Sequence, residues 1–250
     1  MLRRRFSPEQ ISGLLRHCAP LPPIPAGVKP FVCPQSIYAA LRALPHSPVR
    51  AELTRCLRHS TGGRRYKRRS NQRLSPIQNF LPISQRPPEV DLGLEPGHLE
   101  GDLMVGAKGK SFLGVIVERT SLHVWLVKLD NAQAPHVRVQ FAKRLRRMPK
   151  KLRRTMTYDR GWEMAQHQQL SKSLDMPIYF CDSYSPWQRG LVENSNGLLR
   201  QYFPKGTDFN TISPQRLREV ERELNDRPRK SHTYKSATQI YAQLRLQLCS

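Results

Sequence analysis

The stretch from residue 98 to residue 180 constrains the fold most, because its apolar residues change repeatedly between two kinds of spacing. Some runs alternate or are unbroken, as in strands, and the stretches between them have helical spacing. The order is three hairpin-connected strands, then helix, strand, helix and strand. It predicts an α/β domain with a mixed five-stranded sheet flanked by helices. The predicted strands are HLEGDLMV (98–105), FLGVIVE (112–118), HVWLVKL (123–129), RTMTYD (154–159) and MPIYF (176–180).

A second informative segment is SPWQRGLVENSNGLLRQYFPKGTDF, residues 185–209. Its proline and glycine positions predict a helix over residues 186–205. On a helical wheel the apolar residues share one arc, and Glu193 lies in the opposite arc. Glu193 is the only acidic residue in the predicted helix. Its neighbours are amides and arginines, which suit contacts with phosphates and sugars.

The same segment carries a resemblance to a known family. PWQRG, then Glu193 and Asn194, then NGLLRQYFPKGTD resembles the signature of bacterial insertion-sequence transposases of the insertion-sequence-thirty family. The resemblance extends from about Ser7 to Tyr241. These are enzymes with an Asp-Asp-Glu metal triad on a ribonuclease-H-like integrase catalytic core. The resemblance therefore implies a ribonuclease-H-like sheet. Many relatives carry a further module upstream, so the N-terminus is expected to be shortened.

Residue by residue, the resemblance implies that Asp102, Asp159 and Glu193 are the catalytic residues and the metal ligands. The 33 residues between Asp159 and Glu193 agree with the family's spacing. Three carboxylates brought together repel one another, and divalent cations relieve that cost. The expected cofactors are two divalent metal ions, magnesium with manganese as a substitute. His167 and Asp182 are expected to orient a phosphate or these ligands, although an ordinary helix histidine fits His167 equally well.

The chemistry implied by the resemblance has two stages. Hydrolysis at the end of the element frees a 3′ hydroxyl, and that hydroxyl then attacks target DNA without a covalent enzyme intermediate. The implied partner is double-stranded DNA, both the terminal repeats and the target, with a homo-oligomer assembled on the DNA ends. The residues expected to hold DNA near the cut are Arg189, Asn196, Arg200 and Lys205.

Charge points independently to a polyanionic partner. The 250 residues include 42 Lys and Arg against 19 Asp and Glu, which gives a formal net charge of +23. A charge that large favours nucleic acid as the partner. No apolar run approaches the roughly 18 residues of a membrane span. The five cysteines are scattered without metal-ligand spacing, which indicates reduced thiols. The expected location is the bacterial cytoplasm, in association with the nucleoid.

Three regions are expected along the chain. Residues 1–60 are predicted to form a helical, helix-turn-helix-like DNA-binding segment, because short apolar helices follow Ser7 and Cys33. The resemblance places Ser36 and Arg42 on or near its recognition helix. Residues 61–90 read as a basic and Pro-rich linker. Residues 91–250 form the predicted ribonuclease-H-like catalytic domain.

Two basic runs are candidate DNA contacts. Lys and Arg make up six of the thirteen residues 61–73 and eight of the thirteen residues 142–154. The first run is expected to act as an arm on DNA phosphates, with a solvated loop as the alternative. The contacts expected from this arm are Arg64, Arg65, Lys67, Arg68 and Arg69.

Two further functions stay open at this point. One is a catalytically inactive DNA-binding remnant or regulator of a mobile element. Arg160 and Val192 favour it, because relatives usually have asparagine at both positions. The other is a basic RNA-binding protein, which the lack of an interleaved aromatic and basic strand motif disfavours. A strand-transfer assay with magnesium separates the enzyme from the inactive regulator.

Overall fold

The computed structural model describes residues 1–17, 31–57, 77–183 and 185–249, and these residues divide into two compact units. The first unit contains residues 1–17, 31–57 and 226–240. The second contains residues 77–183, 185–225 and 241–249. The division near residue 70 falls inside the predicted 61–90 linker. Residues 226–240 join the first unit, whereas the sequence division placed them in the 91–250 domain.

The first unit is helical. Its helices are α1 (Pro8–His17), α2 (Pro34–Ala43) and α3 (Pro48–Arg55). A capping box opens α1, since Ser7 Oγ accepts the N–H of Gln10 over 3.1 Å and Gln10 Oε1 accepts the N–H of Ser7 over 2.9 Å. At the start of α2, the Sγ atom of Cys33 accepts the N–H of Ser36 over 3.4 Å. Both helix starts therefore lie where the sequence predicts them.

Residues 226–240 pack on α1 within this unit. The ring of Tyr234 lies where a side chain on Gly13 would be, 1.9 Å from the position of a Cβ atom. The same ring stacks on His17, with 5.3 Å between the ring centroids. Gln10 also donates from Nε2 to the carbonyl of Pro228 over 2.8 Å. The absence of a side chain at Gly13 is thus what lets this segment approach the helix closely.

The second unit is built on a mixed sheet of six strands in the order β1-β6-β5-β2-β3-β4. The strands are β1 (Leu81–Pro82), β2 (His98–Val105), β3 (Phe112–Glu118), β4 (Val124–Leu129), β5 (Thr155–Tyr158) and β6 (Ile178–Phe180). The β2–β3 and β3–β4 pairs are antiparallel, and the other neighbours are parallel. The predicted mixed α/β sheet is confirmed. The sixth strand, β1, is two residues of the predicted linker, too short for any periodic pattern.

The described residues that follow form six further helices: α4 (Glu89–Leu92), α5 (Ala134–Leu145), α6 (His167–Leu174), α7 (Gly190–Leu199), α8 (Pro214–Asn225) and α9 (Ala237–Cys249). A 3-10 turn (Pro186–Arg189) precedes α7. The continuous helix predicted over 186–205 is therefore wrong at both ends. The C-terminal end is explained by Pro204, which disfavours helical backbone at the preceding Phe203. None of the helices in the described ranges combines the length and the apolar character needed to span a lipid bilayer.

Both faces of the sheet are covered, which explains the nearly unbroken apolar run of β3. Leu113, Val115 and Val117 are fully buried in a cluster with residues of α7 and α8. Ile116 is fully buried in a second cluster, with residues of α5 and α6. The edge strand β4 is closed by α8, since Asn225 bonds both the N–H and the carbonyl of Val124.

Candidate active site

The sheet register brings the two predicted aspartates together. In the parallel pairing of β2 with β5, His98 lies opposite Thr155 and Glu100 opposite Thr157. The same register, continued by two residues, sets Asp102 opposite Asp159, which directly follows β5. Side chains two residues apart on a strand share a face, so Glu100 and Asp102 project to the same side.

A single buried guanidinium connects the two aspartates. Arg189 donates from Nη1 to Oδ1 of Asp102 over 2.9 Å and from Nη2 to Oδ2 of Asp159 over 3.1 Å. Its Nη1 atom also donates to the carbonyl of Gly101 over 3.1 Å. Arg189 is 8% exposed. This residue was predicted to hold DNA, but the structure commits its guanidinium to the acidic residues themselves.

The local electrostatics follow from this pairing. Burial raises the pKa of Asp159, the positive charge of Arg189 lowers it and the negative charge of Asp102 raises it, and the net shift is upward. Burial on its own would lower the pKa of Arg189, but the two carboxylates hold it above its ordinary value. The guanidinium therefore stays charged and offsets the repulsion between the two aspartates.

Glu193 lies in α7, one turn after Arg189, and its side chain is exposed. Partial burial raises the pKa of its carboxyl group, Arg189 lowers it, and the negative charges of Asp102, Glu100 and Asp159 raise it again. Glu193 is therefore within electrostatic range of both aspartates. We call Asp102, Asp159 and Glu193 the acidic triad.

Asn196, in the next turn of α7, contacts Asp102 of the acidic triad. Its Nδ2 atom donates to Oδ2 of Asp102 over 2.5 Å. Its Oδ1 atom is buried and has no hydrogen-bond partner in the structure. A buried carbonyl oxygen without a partner is unusual and calls for an explanation, such as a bound ion. Asn196 was predicted to contact DNA, and here it lies against a triad carboxylate.

A fourth carboxylate, Glu163, lies near the triad. Glu163 is 8% exposed. Its burial, and to a smaller extent the negative charge of Asp159, raise the pKa of Glu163 to about 7. Gly161 leaves the space for this carboxylate, since a Cβ atom there would lie 2.3 Å from both Glu163 oxygens. The sequence offered one signal for Glu163, its position four residues after Asp159.

The donor set of the triad suits a hard divalent cation. The available ligands are carboxylate oxygens, with the unpartnered Oδ1 of Asn196 beside them, and magnesium prefers such oxygen donors. A positive group already lies between Asp102 and Asp159, namely the guanidinium of Arg189. Among the described residues no three His, Cys, Asp or Glu side chains are grouped closely enough to hold a metal as they stand. The oxygen donors are therefore of the type that a divalent cation prefers, while the space between Asp102 and Asp159 is taken by the guanidinium of Arg189.

The other residues predicted to bind DNA have varied positions. Arg200 is half-buried and donates to the carbonyls of Val105 over 3.1 Å and Phe203 over 3.5 Å. Lys205 is exposed in the second unit. In the first unit, Ser36 is exposed in the first turn of α2 and Arg42 is exposed in its last turn. The predicted arm residues Arg64, Arg65, Lys67, Arg68 and Arg69 lie outside the described residues.

His167 and Asp182 were expected to orient ligands of the site. His167 is buried, and its ring nitrogens lie 3.1 Å from the carbonyl oxygen of Met164 and 3.4 Å from that of Asn79. Asp182 is exposed and accepts a hydrogen bond from Gln188 Nε2 over 3.0 Å. Both sets of contacts hold loops together. An orienting role for either residue stays a prediction.

The chain is similar in sequence to several known proteins. Residues 94–186 match the model of the integrase core domain. The transposase for insertion sequence element IS1086 of Cupriavidus metallidurans is 42% identical over 243 residues, which are 97% of this chain and 70% of the relative. The transposase InsI for insertion sequence element IS30A of Escherichia coli strain K12 is 36% identical over 96% of this chain and 62% of its own length. Among solved structures, the catalytic core domain of BIV integrase has a TM-score of 0.48 at 17% identity, covering 62% of this chain and 99% of that one.

The mixed sheet and the core match define the class as a ribonuclease-H-like protein with an integrase core. Within that class, the chain belongs to the insertion-sequence-thirty family of transposases. These are DNA-cleaving and strand-transfer enzymes that act on DNA and normally use divalent metals. The chain spans 70% and 62% of the lengths of the two relatives described above.

Proposed function

We propose that this chain cleaves DNA at the ends of its element and transfers the freed 3′ hydroxyl into target DNA, with the acidic triad as the catalytic residues. The observation that carries the proposal is the pairing of Asp102 and Asp159 on one guanidinium, beside the helix that bears Glu193. Two carboxylates brought together repel each other, and a divalent cation bound between them relieves that cost. The family to which the chain belongs supports the same reaction.

The triad would hold two magnesium ions, for which manganese can substitute. Bound there, such ions supply a Lewis acid for the scissile phosphate, activation of the attacking oxygen and stabilisation of the leaving oxygen. The residues of the chain do the rest. Asp102 and Asp159 present oxygens from two neighbouring strands, and Asn196 fixes the orientation of the Asp102 carboxylate. Arg189 would offset part of the negative charge of the two aspartates before the metal ions bind.

The DNA partner would be duplex carrying the terminal repeats, followed by target duplex. A formal net charge of +23 supports extensive phosphate contact. Ser36 and Arg42 would contact the ends from the first unit, while Lys205 and Arg200 would contact DNA near the triad. We further propose that the protein assembles as a homo-oligomer on the ends and works in the cytoplasm, at the nucleoid.

The test compares the parent with Glu193→Gln, which keeps the size of the side chain and removes its charge. Each protein is assayed by gel shift and by magnesium-dependent cleavage on duplex from the flanks of the element. We expect Glu193→Gln to bind DNA as tightly as the parent, or slightly more tightly, and to lose cleavage by several orders of magnitude. Glu223→Gln, an exposed acid of α8, is the matched control and should cut like the parent.

Two outcomes would count against the proposal. Cleavage by Glu193→Gln at the parental rate would remove Glu193 from the triad. A parent that binds the ends and never cuts them would favour the alternative, a DNA-binding regulator of the element. The ion pairs of Arg189 with Asp102 and Asp159 are the observation that keeps this alternative open, because the guanidinium occupies the space between the two carboxylates and offsets part of their charge.

A further inference from the structure

The first turn of α7 has no capping side chain from its own segment. Arg189, at the N-cap position, makes no side-chain hydrogen bond to the helix. The first N–H groups of a helix have no partner within it and need one from elsewhere. Here the partner comes from β2, since Oε2 of Glu100 accepts the N–H of Leu191 over 3.1 Å and that of Val192 over 3.0 Å.

The Glu100 carboxylate is also held from its other side. The residue is completely buried, and its Oε1 atom is paired with the guanidinium of Arg119. Arg119 in turn donates from Nε to the carbonyl of Val90 over 3.1 Å. A negative charge at a helix N-terminus is also favoured by the helix dipole. The first turn of α7 is therefore fixed to β2 by a carboxylate that cannot easily move.

The next two residues of β2 contact the same part of the chain. The carbonyl of Gly101 accepts from Arg189, and Asp102 accepts from Asn196. Glu193 lies between these two contact points, one residue after Val192. Three consecutive residues of β2 thus hold the chain before and after Glu193. Of the three, Glu100 is the one that binds the backbone of α7.

We propose that Glu100 is a positioning residue, which sets the place of Glu193 relative to Asp102. The inference rests on the proposed function, in which these two carboxylates act together. Glu100 acts through the backbone of Leu191 and Val192, in the same helical turn as Glu193. Releasing that turn would move the carboxylate of Glu193, and a misplacement of about 1 Å in an active site can cost roughly a hundredfold in rate.

The chain contains a matched control for a buried, capping carboxylate. Glu118, on β3, is completely buried as well. It accepts the N–H groups of Gly97 over 3.0 Å, Thr120 over 3.2 Å and Ser121 over 2.6 Å. Glu118 therefore has the same burial as Glu100 and also accepts backbone N–H groups, but it holds Gly97 and the turn after β3 rather than α7. Its further partner is the hydroxyl of Ser121, whereas that of Glu100 is the guanidinium of Arg119.

The experiment compares the parent, Glu100→Gln, Glu100→Asp and Glu118→Gln. Amide hydrogen exchange is measured over residues 186–199 without metal, and steady-state DNA cleavage is measured with magnesium. For both Glu100 variants we expect exchange at Leu191 and Val192 to rise roughly tenfold or more. We expect kcat to fall about 10- to 100-fold with an unchanged KM for DNA. Glu100→Asp keeps the charge and shortens the reach, so it serves if Glu100→Gln does not fold. Glu118→Gln should change neither quantity.

Parental exchange at Leu191 and Val192 in the Glu100 variants would overturn the inference. An equal fall in kcat for Glu118→Gln would overturn it too, because the effect would then be a general loss of stability. A parent that never cuts DNA would refute the proposed function instead. The exchange data, which need no metal and no DNA, would still decide whether Glu100 anchors α7.

Discussion

Arg189 donates a hydrogen bond from Nη2 to Oδ2 of Asp159 over 3.1 Å. The side chain of Asp159 is 42% exposed and that of Arg189 is 10% exposed, so a buried guanidinium is paired with a carboxylate that solvent can reach. The other guanidinium nitrogen binds Asp102. One buried cation thus takes the place between two carboxylates that the proposed reaction needs for a metal ion. We expect a metal ion to replace the guanidinium of Arg189 between the two carboxylates.

The first prediction concerns the removal of that guanidinium. Arg189→Gln leaves Asp102 and Asp159 uncompensated, so in EDTA we expect the free energy of unfolding to fall by about 1 to 3 kcal/mol. The partial exposure of Asp159 keeps this loss below that of a fully buried pair. Magnesium should restore part of the loss, because it binds the folded state. Urea unfolding with and without magnesium, at equal ionic strength, measures both effects.

Arg160→Gln is the matched control for this prediction. Arg160 is half-buried next to Asp159 in sequence, but it donates to the carbonyl of Cys181 over 3.1 Å and lies 3.7 Å from Asp182. Its replacement should leave the effect of magnesium on stability as small as it is in the parent, whereas Arg189→Gln should gain more stability from magnesium than the parent does. If magnesium stabilises both variants equally, or neither, Arg189 is not holding the place of a cation.

The second prediction concerns Gly101, between Glu100 and Asp102. A Cβ atom at this position would lie 2.3 Å from Cε of Met156 and 2.6 Å from Cδ2 of Tyr158, and both of those residues are completely buried. Gly101→Ala should therefore destabilise the fold by about 1 to 3 kcal/mol through overpacking. Gly190→Ala is the control, since the space around it is open and its backbone is helical. That variant should be neutral, or more stable by up to about 1 kcal/mol, in thermal unfolding.

The strand runs and helix starts could be read from the sequence because their signals are local. The bounds of β2 and β3 coincide with the predicted runs. The reciprocal hydrogen bonds of Ser7 and Gln10 join residues only three positions apart in the sequence. The two-residue strand β1 forms by pairing with β6, and a sequence pattern cannot show such a distant partner.

The candidate site shows the same limit. Asp102 and Asp159 were predicted from the resemblance, and the sheet register brings them together. The contacts of Arg189 with these two acids were not predicted, because arginines beside a predicted catalytic acid suggest phosphate contacts when only composition is known. Glu100 lies two residues before Asp102 on β2, and nothing in the sequence marks it as a partner of α7. Its partners, Leu191 and Val192, are about ninety positions away in the sequence, so only the fold reveals the contact.

The third prediction concerns the salt dependence of DNA binding. Three exposed basic residues line a groove of about 370 Å³: Lys143 on α5, Arg147 just after α5 and Arg218 on α8. Parental affinity should fall about 10³- to 10⁵-fold between about 50 and 200 mM salt if roughly six to ten phosphates are neutralised. Replacing Lys143 or Arg147 by alanine should reduce the slope of log K against log salt by about one each. Fluorescence anisotropy measures the slopes.

Arg216→Ala is the control for this prediction. The guanidinium of Arg216 is already paired with Glu219 over 3.1 Å, so its removal should leave the slope nearly unchanged.

The last prediction concerns the pH dependence of stability and follows from Glu163. Burial and the charge of Asp159 raise its pKa in the folded protein to about 7, against an ordinary value of 4.5. The protonated carboxyl group of Glu163 therefore makes its full contribution to the free energy of unfolding below about pH 4.5. That contribution is lost as the pH rises through about 7, and the total loss is about 3 kcal/mol. Glu163→Gln imitates the protonated acid at every pH. Urea unfolding at about pH 5 should give similar stabilities for parent and variant, whereas at about pH 8 the variant should be the more stable. A difference between the two proteins that does not change between these pH values would show that Glu163 titrates normally in the folded state.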